Sequence, residues 1–389
     1  MKINIYRMWF GFVIAIFILS ERCVNLFGWL DKIHLKHYLL IISIIFGIII
    51  LIKKKNNRIL RKEFYSILFA AIGLYVISLI YQLFNGKFKF YSLEELYYFV
   101  APLFFVYIIF NVYRDKKIEK YMDIILYVGL FSFFVTRLGR GTLTIQNIMS
   151  LFNVKSLFVD SVSVISESDL SVYFLILTVY YTFKKRKLKL ILAAIGTFIG
   201  YKRVAVLFLV LFLVLHNFFP KDKEVNKKIW SLVCLIFIIA PFAVYFMCQD
   251  SFAIWFYKEF NIDFNTFTMT RFDIINTVID ADLTNYGLGT VTDFLEQRNV
   301  SGQTNMHNDI LRIFMECGLI GTILFTISFF KLVRKNYYNF FIMIFIFTEL
   351  FVAHFLGPGS VSFWILAYLV IFEIIEENLN DNEEKKCFT

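Results

Sequence analysis

KKRKLKLILAAIGTFIGYKRVAVLFLVLFLVLHNFFPKDK, residues 184–223, decides the fold of this chain. Two apolar runs, 188–201 and 204–219, are parted only by Lys202 and Arg203 and are bounded on their far sides by basic clusters. Neither run keeps a polar face for water, as a helix on the surface of a soluble bundle would. The pattern predicts a hairpin of membrane-crossing helices. The clusters at 184–189 and 220–228 then lie in the cytoplasm, where Lys and Arg are favoured, and the tight turn GYKRV (200–204) lies on the opposite face.

The same signature extends in both directions. Of 389 residues 59% are hydrophobic and 20% aromatic, with a mean hydropathy of +0.68. A soluble domain of this size has too little interior to hide that much apolar surface. With only four prolines, long helices are uninterrupted. At about 20 mostly apolar residues per crossing, spans are expected near 8–28, 38–52, 64–84, 96–113, 121–136, 169–183, 188–201, 204–219, 229–247, 310–330, 337–355 and 361–376. The expected fold is therefore an all-α integral membrane protein of about twelve transmembrane helices, a single polytopic domain over residues 1–389. With both termini cytoplasmic, 26 of the 40 Lys and Arg fall on cytoplasmic segments, and inverting the chain reverses that bias.

Other function classes are disfavoured. The net charge of +10 comes from short basic runs between apolar helices, which read as topology signals beside anionic lipid and not as a nucleic-acid surface. The five cysteines form no CxxC pair and read as small hydrophobes, so no metal site is expected. The basic start Met1–Arg7 leads into an apolar run without a small-x-small cleavage site, which favours a retained first span over a signal peptide.

Two outer loops exceed what a connector needs. One, 137–168, ends in SESD (166–169); the other, 248–309, is a large extracytoplasmic loop between the ninth and tenth spans. The second holds Phe252, Trp255, Phe256 and Tyr257, suited to a membrane interface, and RFDIINTVID (271–280), an amphipathic helix with Phe272, Ile275, Val278 and Ile279 on one face.

Chemistry-bearing residues gather on that outer side. Lys202 and Arg203 sit in the hairpin turn, Arg271 opens the amphipathic helix, and YGLGT (286–290) precedes NMHNDILRIFMECGLIG (305–321). Each also has a structural reading: Lys202 and Arg203 as snorkelling residues, Arg271 as the partner of a nearby Asp, Gly287 and Gly289 as turn formers, and His307 as a satisfied histidine. Arg312 and Glu316 are spaced i, i+4 and could pair within the helix, sharing a face with Asn308. Asp280 and Asp282 form a DxD, a pattern of nucleotide-sugar enzymes, on a face where nucleotide sugars are not supplied.

Taken together, these pieces resemble the O-antigen polymerase and O-antigen ligase superfamily over roughly residues 165–376. The family's G-x-G turn is matched by Gly287 and Gly289, its HN pair by His307 and Asn308, and its following Glu and Gly-Leu-Ile-Gly step by Glu316 and GLIG (318–321). Its basic pair is matched by Lys202 and Arg203, and its Arg before the turn by Arg271. Tyr201-Lys202 stands where a Ser often precedes the Arg, which leaves the role of Lys202 open.

The resemblance implies an inner-membrane enzyme whose substrate is an undecaprenyl-diphosphate-linked oligosaccharide, for O-antigen, capsule or exopolysaccharide. It implies no cofactor, no metal and no nucleic-acid partner, with a chain-length regulator and a flippase as companions. Arg203 and Arg271 would balance the departing diphosphate, His307 with a pKa near working pH would take the acceptor's proton, and Lys202, Asn308, Arg312, Glu316, Gly287 and Gly289 would line the substrate site. A ligase moving finished glycan to lipid A core, and a transporter or flippase of lipid-linked oligosaccharide, are the alternative readings.

Overall fold

A computed structural model describes residues 5–53, 59–86, 91–112, 118–142, 144–145, 168–220, 223–268, 271–284, 286–298 and 306–387. Among these residues the protein is helical, with no strand. The helices are α1 (Ile5–Arg22), α2 (Val24–Lys32), α3 (Leu35–Lys53), α4 (Arg61–Phe84), α5 (Tyr91–Val112), α6 (Glu119–Gly139), α7 (Leu170–Phe183), α8 (Lys187–Gly200), α9 (Arg203–Leu215), α10 (Lys227–Met247), α11 (Asp250–Phe260), α12 (Arg271–Asp280), α13 (Thr290–Arg298), α14 (Asp309–Val333), α15 (Tyr337–Val352) and α16 (Val361–Cys387).

Each apolar segment expected from the sequence contains a helix, but length divides them. Six helices, α3, α4, α5, α6, α10 and α14, are long and apolar enough to cross a membrane, whereas α7, α9 and α15 are shorter apolar helices. The expected span 8–28 is broken at Cys23 into α1 and α2. The break follows from what its end must reach: Glu21 turns inward to Ser362 and Arg22 to Asp169.

Burial follows each helix's residue spacing. On α10 the buried residues are Cys234, Phe237, Pro241 and Val244, a stripe at alternating steps of three and four that leaves the other faces open. Phe237 of that stripe meets Phe330 of α14 and Phe347 of α15. On α7, by contrast, nearly every residue is buried, and on α16 the run from Val361 to Ile375 is almost as enclosed. These two form the centre of the bundle with α5, while α3 and α10 lie outside with exposed Ile and Phe suited to lipid. Close approach needs small residues: Gly47 of α3 faces Ile108 of α5 so closely that a Cβ would lie 2.2 Å from its side chain.

A second apolar core belongs to the segment that the sequence assigns to the large outer loop. Phe264, Phe272, Ile274, Ile275, Val278, Val291 and Leu295 pack with Met306, Leu311 and Met315 at the start of α14. The amphipathic helix 271–280 is present, with Ile274 buried alongside Phe272, Ile275 and Val278. Phe252 and Phe256 turn toward Phe264, while Trp255 and Tyr257 stay exposed. Residues 146–167, most of the other long loop, lie outside the described residues.

Candidate active site

The ends of α1, α8 and α15 and the starts of α7, α9 and α14 converge at one end of the bundle, and the polar residues gather there. α8 closes on Tyr201, whose left-handed backbone (φ 49°) reverses the chain so that α9 begins two residues later. The turn buries Lys202 to 9% exposure. Its Nζ lies 3.1 Å from Asp169 Oδ1 at the start of α7 and 3.0 Å from Glu349 Oε2 on α15. It also sits 4.6 Å above the centre of the Phe355 ring. Asp169 is held from its other side by Arg22 at 2.7 Å. Glu349 is fully buried, and Lys202 brings a positive charge to it. Lys202 is thus a brace between three helices. Arg203, the first residue of α9, is half-buried beside it.

The G-x-G turn docks on α4. Gly287 (φ 96°) and Gly289 (φ 81°) both adopt backbone conformations that favour glycine. A Cβ on Gly287 would lie 2.9 Å from the Ser78 carbonyl oxygen, so only hydrogen fits. The Leu288 amide donates to Ser78 Oγ at 2.8 Å, and the Gly287 amide donates to the Glu316 carbonyl at 3.0 Å. The Glu316 side chain accepts from the Val291 amide at 2.9 Å, tying the start of α13 to α14. Gly287, Gly289 and Glu316 therefore position the loop over the bundle.

His307 occupies the last turn before α14 in a left-handed conformation (φ 52°). Asn308 caps the helix, its side chain accepting from the Leu311 amide at 2.9 Å. Asp309 follows, almost wholly buried. It accepts from His354 Nδ1 at 2.8 Å and from the amides of Phe355 and Leu356 at 2.5 and 2.9 Å. One turn on, Arg312 turns away from Glu316 and grips Glu95 of α5 with both Nη atoms, at 2.8 and 3.0 Å. It also donates to Thr292 Oγ1 and to the Leu356 carbonyl. The i, i+4 pairing suggested by sequence gives way because a planar guanidinium finds a better-matched carboxylate across the helix interface.

The electrostatics single out His307. Burial, and then the charges of Arg271, His354 and Lys202, lower its pKa to about 4, well below the near-neutral value expected of a base. That coupling also locates the site: Arg271 from the start of α12, Lys202 from the α8–α9 turn and His354 from beyond α15 all act on one imidazole. Asp280 and Asp282 are exposed at the far end of α12, with Thr284 bonded to Asp282, away from this cluster.

Three residues of the convergence escape a reading of the sequence, Glu95, Asp309 and His354, whereas Asp169 ends the SESD segment and Glu349 is an ionisable residue within an expected span. Asp309 follows the HN pair directly. The other two are isolated charges at the ends of apolar segments, legible only once the helices are packed.

The chemistry available here is that of cations beside two imidazoles at one end of a membrane bundle. No curated protein and no solved structure matches the chain. A family model described as O-antigen ligase matches residues 188–326, a stretch running from α8 to the middle of α14 and holding Lys202, Arg203, Arg271, Gly287, Gly289, His307, Asn308, Arg312 and Glu316. That segment of the chain is similar to the O-antigen ligase family.

Proposed function

We propose that this protein is a polymerase that joins polyprenyl-diphosphate-linked oligosaccharide repeat units on the outer face of the bacterial cytoplasmic membrane. In this reading both termini are cytoplasmic and α11–α13 lie outside. The observation that carries it is the electrostatic meeting of Arg271 and Lys202 on His307, residues far apart in sequence and drawn from three segments of the family-matched region. The donor sugar arrives activated, since its lipid diphosphate is already a good leaving group. The site then has two tasks: balancing charge on the departing diphosphate and receiving a proton from the attacking hydroxyl.

Arg271 and Arg203 suit the first task, being always charged and able to grip phosphate oxygens in pairs. His307 presents a neutral imidazole to the acceptor hydroxyl. Arg312, Glu316, Asn308 and the two glycines hold these groups in register. A regulator of chain length and a flippase would work beside it.

The test is deletion of the gene, complementation with His307→Ala or Arg271→Ala, and a gel of surface glycan. Each variant should reach the membrane at normal levels and leave only single repeat units. Full-length polysaccharide from either variant overturns the reading. Accumulation of lipid-linked polymer that is never transferred identifies a ligase, the activity named in the description of the matched family.

A further inference from the structure

Beyond α15 the chain passes through His354, Phe355, Leu356 and Gly357 before α16, and this short segment is fastened to Asp309 by three hydrogen bonds. An ionised carboxylate can only accept, so Nδ1 of His354 carries a hydrogen, and in the neutral form of the ring Nε2 keeps its lone pair. Nε2 has no hydrogen-bond partner among the described residues, and the ring is 13% exposed. Gly357 faces that nitrogen: a Cβ there would lie 2.4 Å from Nε2. Its backbone is extended (φ −170°), a conformation open to any residue, so glycine serves here to let the chain pass close against Nε2. A carboxylate on one ring nitrogen and a lone pair left without a partner among the described residues on the other are the parts of an oriented base.

We propose that His354, oriented by Asp309, is the catalytic base that takes the proton of the acceptor glycan's hydroxyl. This rests on the glycosyl-transfer reading above and names a residue within it. As the hydroxyl oxygen forms its bond to the donor's anomeric carbon, the bond from that carbon to the diphosphate oxygen breaks. The leaving diphosphate keeps the electron pair of the broken bond. The hydroxyl proton moves to Nε2, and Asp309 balances the imidazolium. His307, surrounded by positive charge, contacts the hydroxyl without holding the proton.

The experiment uses the purified full chain and lipid-linked repeat units extracted from cells lacking the gene. His354→Ala should slow chain extension on the order of 10²-fold, with the donor KM unchanged, and added imidazole should restore a large part of the rate. Gly357→Ala should slow it comparably by pushing a methyl group against Nε2 and displacing the ring, yet add nothing when His354 is already Ala. A wild-type rate for His354→Ala overturns the assignment. So does a loss that imidazole does not restore, or a Gly357→Ala variant as fast as the parent. If His307→Ala and Arg271→Ala both extend glycan normally, the glycosyl-transfer reading itself falls; if they are inactive and only His354→Ala is active, the assignment of the base alone falls.

Discussion

The grip of Arg312 on Glu95 supports a quantitative prediction. Arg312 is 3% exposed, and its guanidinium meets Glu95 in two parallel hydrogen bonds that join α14 to α5. Removing one partner of a buried pair leaves the other charge uncompensated, which typically costs about 3–5 kcal/mol. Here Asp309 stands 3.4 Å from Arg312 Nη2 and would supply part of the missing charge in Glu95→Ala. The loss should therefore fall at the lower end, about 3 kcal/mol, or on the order of a 10²-fold fall in the folded-to-unfolded ratio. Arg312→Ala should cost at least as much, because Glu95 would lose its partner and the Leu356 carbonyl a donor.

Replacing both members by Gln and Met should recover part of the loss, and a double-mutant cycle measured by denaturant unfolding in detergent gives the coupling directly. If Arg312→Ala abolishes glycan synthesis while leaving the unfolding curve unmoved, Arg312 acts on substrate and the bracing argument is wrong.

Gly287→Ala should destabilise the protein by more than Gly86→Ala, measured by unfolding midpoint. Both have positive φ and lose about 1 kcal/mol for the backbone, but only Gly287 also meets neighbouring atoms, among them the Ser78 carbonyl, while a Cβ at Gly86 finds open space. Arg271→Ala should raise the pKa of His307 from about 4 toward 6.5, followed by NMR of labelled histidine, since removing a nearby cation favours the charged imidazole. Because the folded state holds His307 below its unfolded value, its contribution to stability is present above about pH 6.5 and is lost as pH falls toward about 4. His307→Gln should flatten that slope. For topology, Lys258→Cys should react with an impermeant maleimide in intact spheroplasts and Lys185→Cys only after permeabilisation. Made on Cys387→Ser protein, the variants meet little background, because Cys23, Cys234, Cys248 and Cys317 are buried; the reverse pattern refutes the orientation.

The sequence was most legible where the signal is a run. Apolar stretches such as 204–219 and 229–247 become helices because nothing in them offers an alternative to the helical backbone pairing that an apolar medium demands. The Phe272–Val278 face was legible for the same reason, as a helical repeat. Pairings were not. Arg312 and Glu316 stand one turn apart, yet their partners are Glu95 and the Val291 amide, fixed only when α5 and α13 pack against α14. The G-x-G turn could be read as a turn, but not that Gly287 packs against Ser78 on α4. His354 was invisible because a lone histidine in a short connection carries no periodicity, and its meaning depends on a carboxylate 45 residues earlier in the chain.

In the proposed orientation, the shortness of α7 and α8 sets how deep the polar cluster lies. α7 and α8 have 14 residues each, so each rises only ~21 Å from the short connection that joins them. The hydrocarbon of a typical bilayer is about 30 Å thick. Asp169, Lys202 and Arg203, which cap the far ends of these helices, would then lie some way beneath the level of the outer head groups. A lipid-borne diphosphate need not be lifted out of the leaflet to reach them. The bilayer would instead dimple toward the protein, with water and head groups drawn down into the depression. In such a geometry, lipids with shorter chains should ease the approach of substrate and thicker membranes should hinder it.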